Sequence, residues 1–337
     1  MRALRLRTPD KLDRIEFSDA PLPPVGRGEM RVRLHASSLN YTDYLKFTDR
    51  SRVPDGRIPL TDAAGSVVDV GEEVSGFAPG DRVVSTFFPN WASGAPTAEG
   101  LSCVPGDRKA EGYAREEAVV PAHFFTHAPA GYSHTEAATL PCAALTAWRI
   151  LFVEGRLAPG QTVLVQGSGG VSVFALQFAK AAGAKVIATS SSDEKLKRLR
   201  SLGADHLINY TRDEAWGATA RQLSGGKEGG VDHVVEIGGA GTLAQSIAAC
   251  RLGGHIGLVG LLTGRSGEVP VAGITTGNLR ISGVTVGSRE NQMAMIRAID
   301  ATGIRPVIDS VFPLEGLAEA FRHQESGRHF GKICLEW

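Results

Sequence analysis

Residues 162–210 alternate between two kinds of segment, and no other feature restricts the fold as strongly. "TVLVQ", "KVIATSS" and "HLINY" are runs rich in β-branched residues. Between them, "VSVFALQFAKAAG" and "DEKLKRLRSLG" space their apolar residues for helices, with Gly183 and Gly203 where left-handed C-terminal caps belong. "VDHVVEIG", a helix from about 240 to 251, "GHIGLVG" and "LRISGVTVGS" continue the pattern. Strands alternating with helices connect by right-handed crossovers, so this stretch predicts an α/β fold with a doubly wound parallel sheet.

The first strand breaks into Gly167, Ser168, Gly169, Gly170 and Val171 before the helix begins. Bare backbone N–H groups at a helix N-terminus suit a pyrophosphate, because the helix dipole favours an anion and side chains there would obstruct it. Read as G-x-G-x-x-G, the third glycine is replaced by Ser172, and alone the pattern is equally that of a tight turn. The next strand ends in Ser190, Ser191 and Ser192, with Lys195 a turn further on, and carries no acid at its tip to accept from a ribose 2′-hydroxyl. This favours NADP(H) over NAD(H), whether or not Asp193 also caps the following helix.

Before this region, residues 1–127 read as a β-rich domain of short strands, "MRVRLHASSL", "GSVVDVG" and "DRVVSTFF", broken by "PLPPVGRGE" and "FAPGDRV". The helical spacing over 133–152, with Ser133 or Thr135 as cap and Glu136 in the first turn, opens a second domain assigned to 128–288. Residues 289–337 hold helices at about 290–302 and 314–325 and the strand "GKICLEW", too little to fold alone, and are expected to return to the first domain. Lysine plus arginine balance aspartate plus glutamate at 36 each, which argues against nucleic acid or an acidic membrane as partner. With no apolar run long enough to cross a bilayer, the chain is expected to be cytoplasmic. Cys103, Cys142, Cys250 and Cys334 are widely separated and suggest free thiols.

Taken together, "PPVGRGEMRVRLHASSLNYTDYLK", "DAAGSVVDVGEEVSGFAPGDRV", "AATLPCAALTAWRIL", the glycine-turn segment, "LGADHLINY" and "HFGKICL" resemble the medium-chain dehydrogenase/reductase superfamily from end to end. That superfamily includes zinc alcohol dehydrogenases and zinc-free quinone oxidoreductases. The resemblance implies a GroES-like catalytic domain with a Rossmann domain inserted before the tail. Zinc members carry cysteine where this chain has Asn40 and Gly-His-Glu where it has Leu60-Thr61-Asp62, leaving Cys142 at the third ligand position. One thiolate does not make the roughly three protein ligands of a catalytic zinc, so no metal is expected. His123 and His127 are flanked by Pro121 and Pro129 and read as ordinary strand or loop residues.

Without a Lewis acid the reaction shifts toward acceptors that delocalise hydride charge themselves, namely quinones and α,β-unsaturated carbonyls. Asn40 is a candidate donor to the acceptor oxygen, Tyr41 an aromatic wall and phenol, Thr42 the counterpart of a proton-relay hydroxyl, and Asp43 a residue that fixes the loop. All four are also plain turn residues ending a strand. The resemblance assigns Thr146 to the nicotinamide and Tyr210 to the adenosine pocket. It leaves Lys332 as a residue approaching the cofactor from the tail. Gly238, Gly260 and Leu261 stand at carboxyl ends of later strands, where open α/β sheets bind ligands.

"NLRISGVTVG" reads as the outermost strand, and a homodimer through that edge is expected. Residues 87–112 form either a pocket wall or a passive insertion. The leading reading is a zinc-independent NADPH-dependent reductase of quinones or enones. Two others stay open: a zinc-free NADP-dependent alcohol dehydrogenase or aldehyde reductase, and a non-catalytic nucleotide-binding protein.

Overall fold

The structure is a computed structural model and describes residues 1–7, 15–48, 53–225 and 229–337. The chain divides into two compact units, one of residues 1–145 with 287–337 and the other of 146–286. The first contains β1 (Arg2–Leu6), β2 (Ile15–Asp19), β3 (Glu29–Ser38), α1 (Tyr41–Thr48), β4 (Ala64–Val70), β5 (Arg82–Ser85), β6 (Glu117–Pro121), β7 (Phe125–His127) and α2 (His134–Ala138). Helix α3 (Leu145–Trp148) straddles the break. The second unit contains β8 (Thr162–Gln166), α4 (Gly170–Ala181), β9 (Lys185–Ser190), α5 (Asp193–Ser201), β10 (His206–Asn209), α6 (Trp216–Leu223), β11 (Val231–Glu236), α7 (Leu243–Ala249), β12 (Cys250–Leu258), α8 (Val271–Thr276) and β13 (Arg280–Gly283). The tail adds α9 (Arg289–Thr302), β14 (Ile308–Pro313), α10 (Leu317–Glu325) and β15 (Lys332–Glu336) to the first unit.

In the second unit six described strands run in the order β10-β9-β8-β11-β12-β13, every neighbour parallel. This is the expected doubly wound sheet. All five residues of β8 are buried, as a central strand covered on both faces requires. The order reverses between β8 and β11, which puts the turns after these two strands beside the switch point where such sheets bind ligands.

The first unit is built on a sheet ordered β14-β15-β3-β4-β5-β7, with β6 also pairing β3. Strand β3 alternates buried and accessible positions along most of its length. Its partners include β15, antiparallel, with Cys334 opposite Ser38. The tail therefore does return, and it inserts β15 between β14 and β3.

Two boundaries differ from expectation. Residues 128–145 belong to the first unit and not to the second. The reason is a set of hydrogen bonds: Ser38 Oγ to Ala138 O at 2.9 Å, Tyr132 Oη to Ile304 O at 2.5 Å, and Ala130 N to Asp300 Oδ1 at 2.8 Å. The second break falls after Val286, two residues earlier than read from the sequence. Helix α6 escapes a periodicity reading because Gly217 interrupts it. A Cβ there would lie 2.2 Å from the Gln245 carbonyl, so the glycine lets α6 approach α7 closely.

Candidate active site

The turn after β8 is shaped for close backbone approach. Gly167 adopts φ +71° and its N–H bonds to Thr189 O at 2.8 Å, tying the turn to β9. Ser168 is buried. Gly169 is the N-cap of α4, no side chain caps the helix, and a Cβ on Gly169 would meet nothing within 4 Å. The first N–H groups of α4, at Gly170 and Val171, thus start a twelve-residue helix beneath open space. The serine in place of the third motif glycine is accommodated by a hydrogen bond: buried Ser172 donates from Oγ to Gln166 O at 2.6 Å.

At the tip of β9, Ser190 Oγ is buried and accepts from Ser192 N at 3.2 Å, while Ser191 is exposed. The cap of α5 is Ser192, which accepts from the Lys195 backbone N–H. Asp193 is not that cap. It takes Asn209 Nδ2 at 2.6 Å and Arg212 at 2.6 Å, so its charge is already paired. Tyr210 follows β10, half-exposed, with its N–H on Ser190 O.

The turn after β11 is organised by Glu236, a fully buried carboxylate that the sequence reading passed over. It accepts from Gly238 N at 2.7 Å, Gly239 N at 3.0 Å, Thr242 Oγ1 at 2.6 Å and Gln166 Nε2 at 2.8 Å, and also from Ser246 Oγ. An acid at the end of an otherwise apolar strand, "VDHVVE", was the available signal, because a buried charge needs several donors. Gly260 is obligatory, since a Cβ there would stand 1.7 Å from Ile237 O. Leu261 beside it is exposed.

In the first unit, β3 ends at Ser38 and α1 begins at Tyr41, with Asn40 just before the helix. Asn40 and Asp43 are buried, whereas Tyr41 and Thr42 are exposed. Asp43 does fix the loop: its carboxylate accepts from Asn40 N at 3.2 Å and from Thr61 Oγ1 at 2.6 Å, with buried Lys46 at 4.0 Å. Leu60, where zinc relatives carry glycine, holds φ +74° while fully buried, a strained backbone that turns Thr61 and Asp62 inward. Asp62 accepts from Ser38 Oγ at 3.1 Å. Burial pushes its carboxyl up to about 7, against the pull of Lys332 and with the Asp43 charge adding to the rise.

Lys332, expected to approach the cofactor from the tail, meets Leu39, Asn40 and Asp62 in the first unit. It opens β15 and is buried in the first unit, with Nζ 2.6 Å from both Leu39 O and Asn40 Oδ1 and 3.9 Å from Asp62 Oδ2. Antiparallel pairing of β15 with β3 carries it under Asn40. The Asn40 amide nitrogen is buried without a hydrogen-bond partner; it lies near enough to Asp62 to help hold that carboxyl down, but the geometry is not that of a bond.

Thr146 is buried in α3, at the start of the second unit. His127 reaches Gly76 O at 2.8 Å and His123 lies in a short turn after β6, so the two do not form a pair of ligands. All four cysteines are free, and burial holds the Cys142 thiol well above its usual range. Among the described residues no cluster of three or more His, Cys, Asp or Glu side chains is placed to hold a metal ion. Residues 87–112 fold back on themselves, with Trp91 buried and Gly106 N on Ala110 O, and their Pro105 carbonyl faces Lys46.

Two family models match the chain: an alcohol dehydrogenase GroES-like domain over residues 26–130 and a zinc-binding dehydrogenase domain over residues 170–301. A zinc-type alcohol dehydrogenase-like protein of Schizosaccharomyces pombe is 42% identical, with 99% of each chain covered. A chloroplastic quinone oxidoreductase of Triphysaria versicolor is 30% identical over 96% of this chain and 94% of its own. The solved structure of an NAD-dependent alcohol dehydrogenase superposes with a TM-score of 0.90 at 36% identity, both chains covered completely.

Proposed function

Since the chain belongs to the medium-chain dehydrogenase/reductase superfamily of oxidoreductases, which bind nicotinamide cofactors, we propose that it is a zinc-independent, NADPH-dependent reductase of quinones or α,β-unsaturated carbonyls. The observation that carries this reading is the set Asn40, Asp62 and Cys142, at the positions the resemblance matches to zinc ligands, with buried Lys332 against the first two. These residues do not fit a catalytic zinc. Asn40 is neutral with its oxygen occupied, Asp62 already faces a lysine, and the one thiol resists ionisation.

NADPH, when bound, supplies the hydride. The chain's own residues bind and orient. Gly167–Val171 offer backbone N–H groups to the pyrophosphate, Ser190, Ser191 and Lys195 donors to a 2′-phosphate, and Tyr210 a ring to the adenosine. Gly238, Gly260 and Leu261 border the second loop, which Glu236 holds still. Asn40 donates to the acceptor oxygen as charge develops there, a preorganised dipole in place of a Lewis acid. Tyr41 and Thr42, in the first unit, are assigned to the acceptor, and Thr146, in the second, to the nicotinamide.

The test is NADPH oxidation with 9,10-phenanthrenequinone and trans-2-hexenal, with and without a chelator. Multiple turnovers insensitive to the chelator support the reading; turnover that requires added zinc overturns it. A second reading, alcohol dehydrogenase or aldehyde reductase, is favoured by the names of the 42% relative and of the superposed structure. Hexanal reduced faster than hexenal would select it. A preference for NADH over NADPH would overturn the cofactor assignment.

We further propose a homodimer. Strand β13 ends its sheet, and Leu252 of the adjacent β12 and Val271 of α8 are 59% and 67% exposed. Sedimentation equilibrium at micromolar concentration should give twice the chain mass, and a monomer there overturns it.

A further inference from the structure

We propose that Lys332 is a positioning residue for the hydride acceptor: it locks the Asn40 side chain so that the amide nitrogen, and not the amide oxygen, faces the acceptor carbonyl. This rests on reading Asn40 as the donor to that carbonyl.

The two ends of an asparagine amide have nearly the same shape, and packing alone does not choose between them. Chemistry does. A lysine head has donors and no acceptor, so the Asn40 atom 2.6 Å from Nζ has to be oxygen. The lysine cannot swing away. Its second contact is the Leu39 carbonyl at 2.6 Å, its third side faces Asp62 at 3.9 Å, and its side chain is 4% exposed. Its own N–H is held by Val307 O at 3.0 Å, and Gly331 before it takes φ +84° where a Cβ would stand 2.2 Å from that same carbonyl.

Asn40 is pinned from the backbone side as well, through its N–H on Asp43. What remains is the amide nitrogen, buried and without a hydrogen bond among the described residues, with Asp62, whose Oδ1 is also unbonded, near it. A buried donor left unmatched is costly and marks a place where a ligand supplies the acceptor. With a cationic donor on its oxygen, the amide is polarised and its N–H groups become stronger donors. The positive charge that zinc relatives place against the substrate oxygen is here set one amide away from it.

The experiment uses the full chain with NADPH, 9,10-phenanthrenequinone and trans-2-hexenal. Lys332→Met should lower kcat at least tenfold while the NADPH KM stays within twofold. Asn40→Leu should do the same, and the double variant should be no worse than Asn40→Leu, because Lys332 acts through Asn40. Lys332→Gln keeps a donor but can also present its own oxygen, and should fall between Lys332→Met and wild type. Multiplicative losses in the double variant, or wild-type kcat in Lys332→Gln, would overturn the proposal.

A second readout needs no acceptor and still reports if one variant folds poorly. In spectra with asparagine-selective 15N labelling, the Asn40 side-chain pair, assigned by its loss in Asn40→Leu, should move in Lys332→Gln while those of Asn209 and Asn291 stay. A stationary Asn40 pair overturns the proposal. If the pair moves but wild type reduces neither acceptor, the assigned reaction fails and the Lys332 control of Asn40 is upheld.

Discussion

Gln166 and Glu236 end the neighbouring strands β8 and β11, and their side chains meet in a 2.8 Å hydrogen bond. The two glycine-rich turns leave from these residues, so one buried carboxylate sets the spacing of both. Glu236→Ala would strand the N–H groups of Gly238 and Gly239 and the side chains of Gln166, Thr242 and Ser246. We expect a loss of about 3 kcal/mol or more in denaturant unfolding. A parallel drop in NADPH affinity should appear by calorimetry.

Gly169 separates folding from cofactor binding. A Cβ at this position meets nothing within 4 Å and the backbone is extended, so Gly169→Ala should fold with nearly unchanged stability. The added methyl would occupy the space assigned to the pyrophosphate, and NADPH binding should weaken tenfold or more. Unchanged affinity in a well-folded Gly169→Ala would remove the turn from the cofactor site.

Ser172 should behave in the opposite way. Its hydroxyl bonds to the Gln166 carbonyl inside the fold, so Ser172→Ala should lose about 1 kcal/mol of stability. NADPH affinity should be little affected. Ser172→Gly, which restores the familiar glycine pattern, should be less stable still because glycine also weakens the helix.

Acid should weaken the second unit through a buried pair of histidines. Burial holds His233 and His255, 5.7 Å apart edge to face, down to about 4, against 6.5 in an unfolded chain. Between these values the unfolded chain binds more protons, so stability is lost as pH falls from 6.5 to 4, by about 2 kcal/mol per ring. Asp62 in the first unit acts in reverse. Its carboxyl is protonated below about 7 in the fold but only near 3.8 when unfolded, so it adds stability as pH falls through that range. Hydrogen exchange at pH 5 and 7.5, corrected for intrinsic rates, should show β11 and β12 losing protection in acid; unchanged protection there would count against neutral buried rings.

Much of this was legible in the residues. The βα alternation and the glycines 183 and 203 follow from local spacing and recur in the structure, and of the two candidate caps, Ser133 and Thr135, it is Ser133 that pairs with Glu136. What was hidden depends on contacts between distant segments. Gly217 looks like a helix breaker until Gln245 is seen against it. Residues 128–145 look like the start of a new domain until Ser38, Asp300 and Ile304 are found holding them to the old one. Lys332 was expected at a cofactor, and only the pairing of β15 with β3 reveals its place beneath Asn40. Lys46 and Glu236 carried a signal, charge within apolar surroundings, but Pro105 and Gln166, which they reach, lie far along the chain.

The insertion of β15 between β14 and β3 also dictates a timetable for biosynthesis. The segment 146–286 is continuous and can close its own sheet once translated, with the tail still inside the ribosome. The sheet holding Asn40 has to wait for residues 332–336. Until they emerge, β3 shows a bare flank and Asn40 has no lysine beneath it, so the cofactor half matures before the half that would recognise the acceptor.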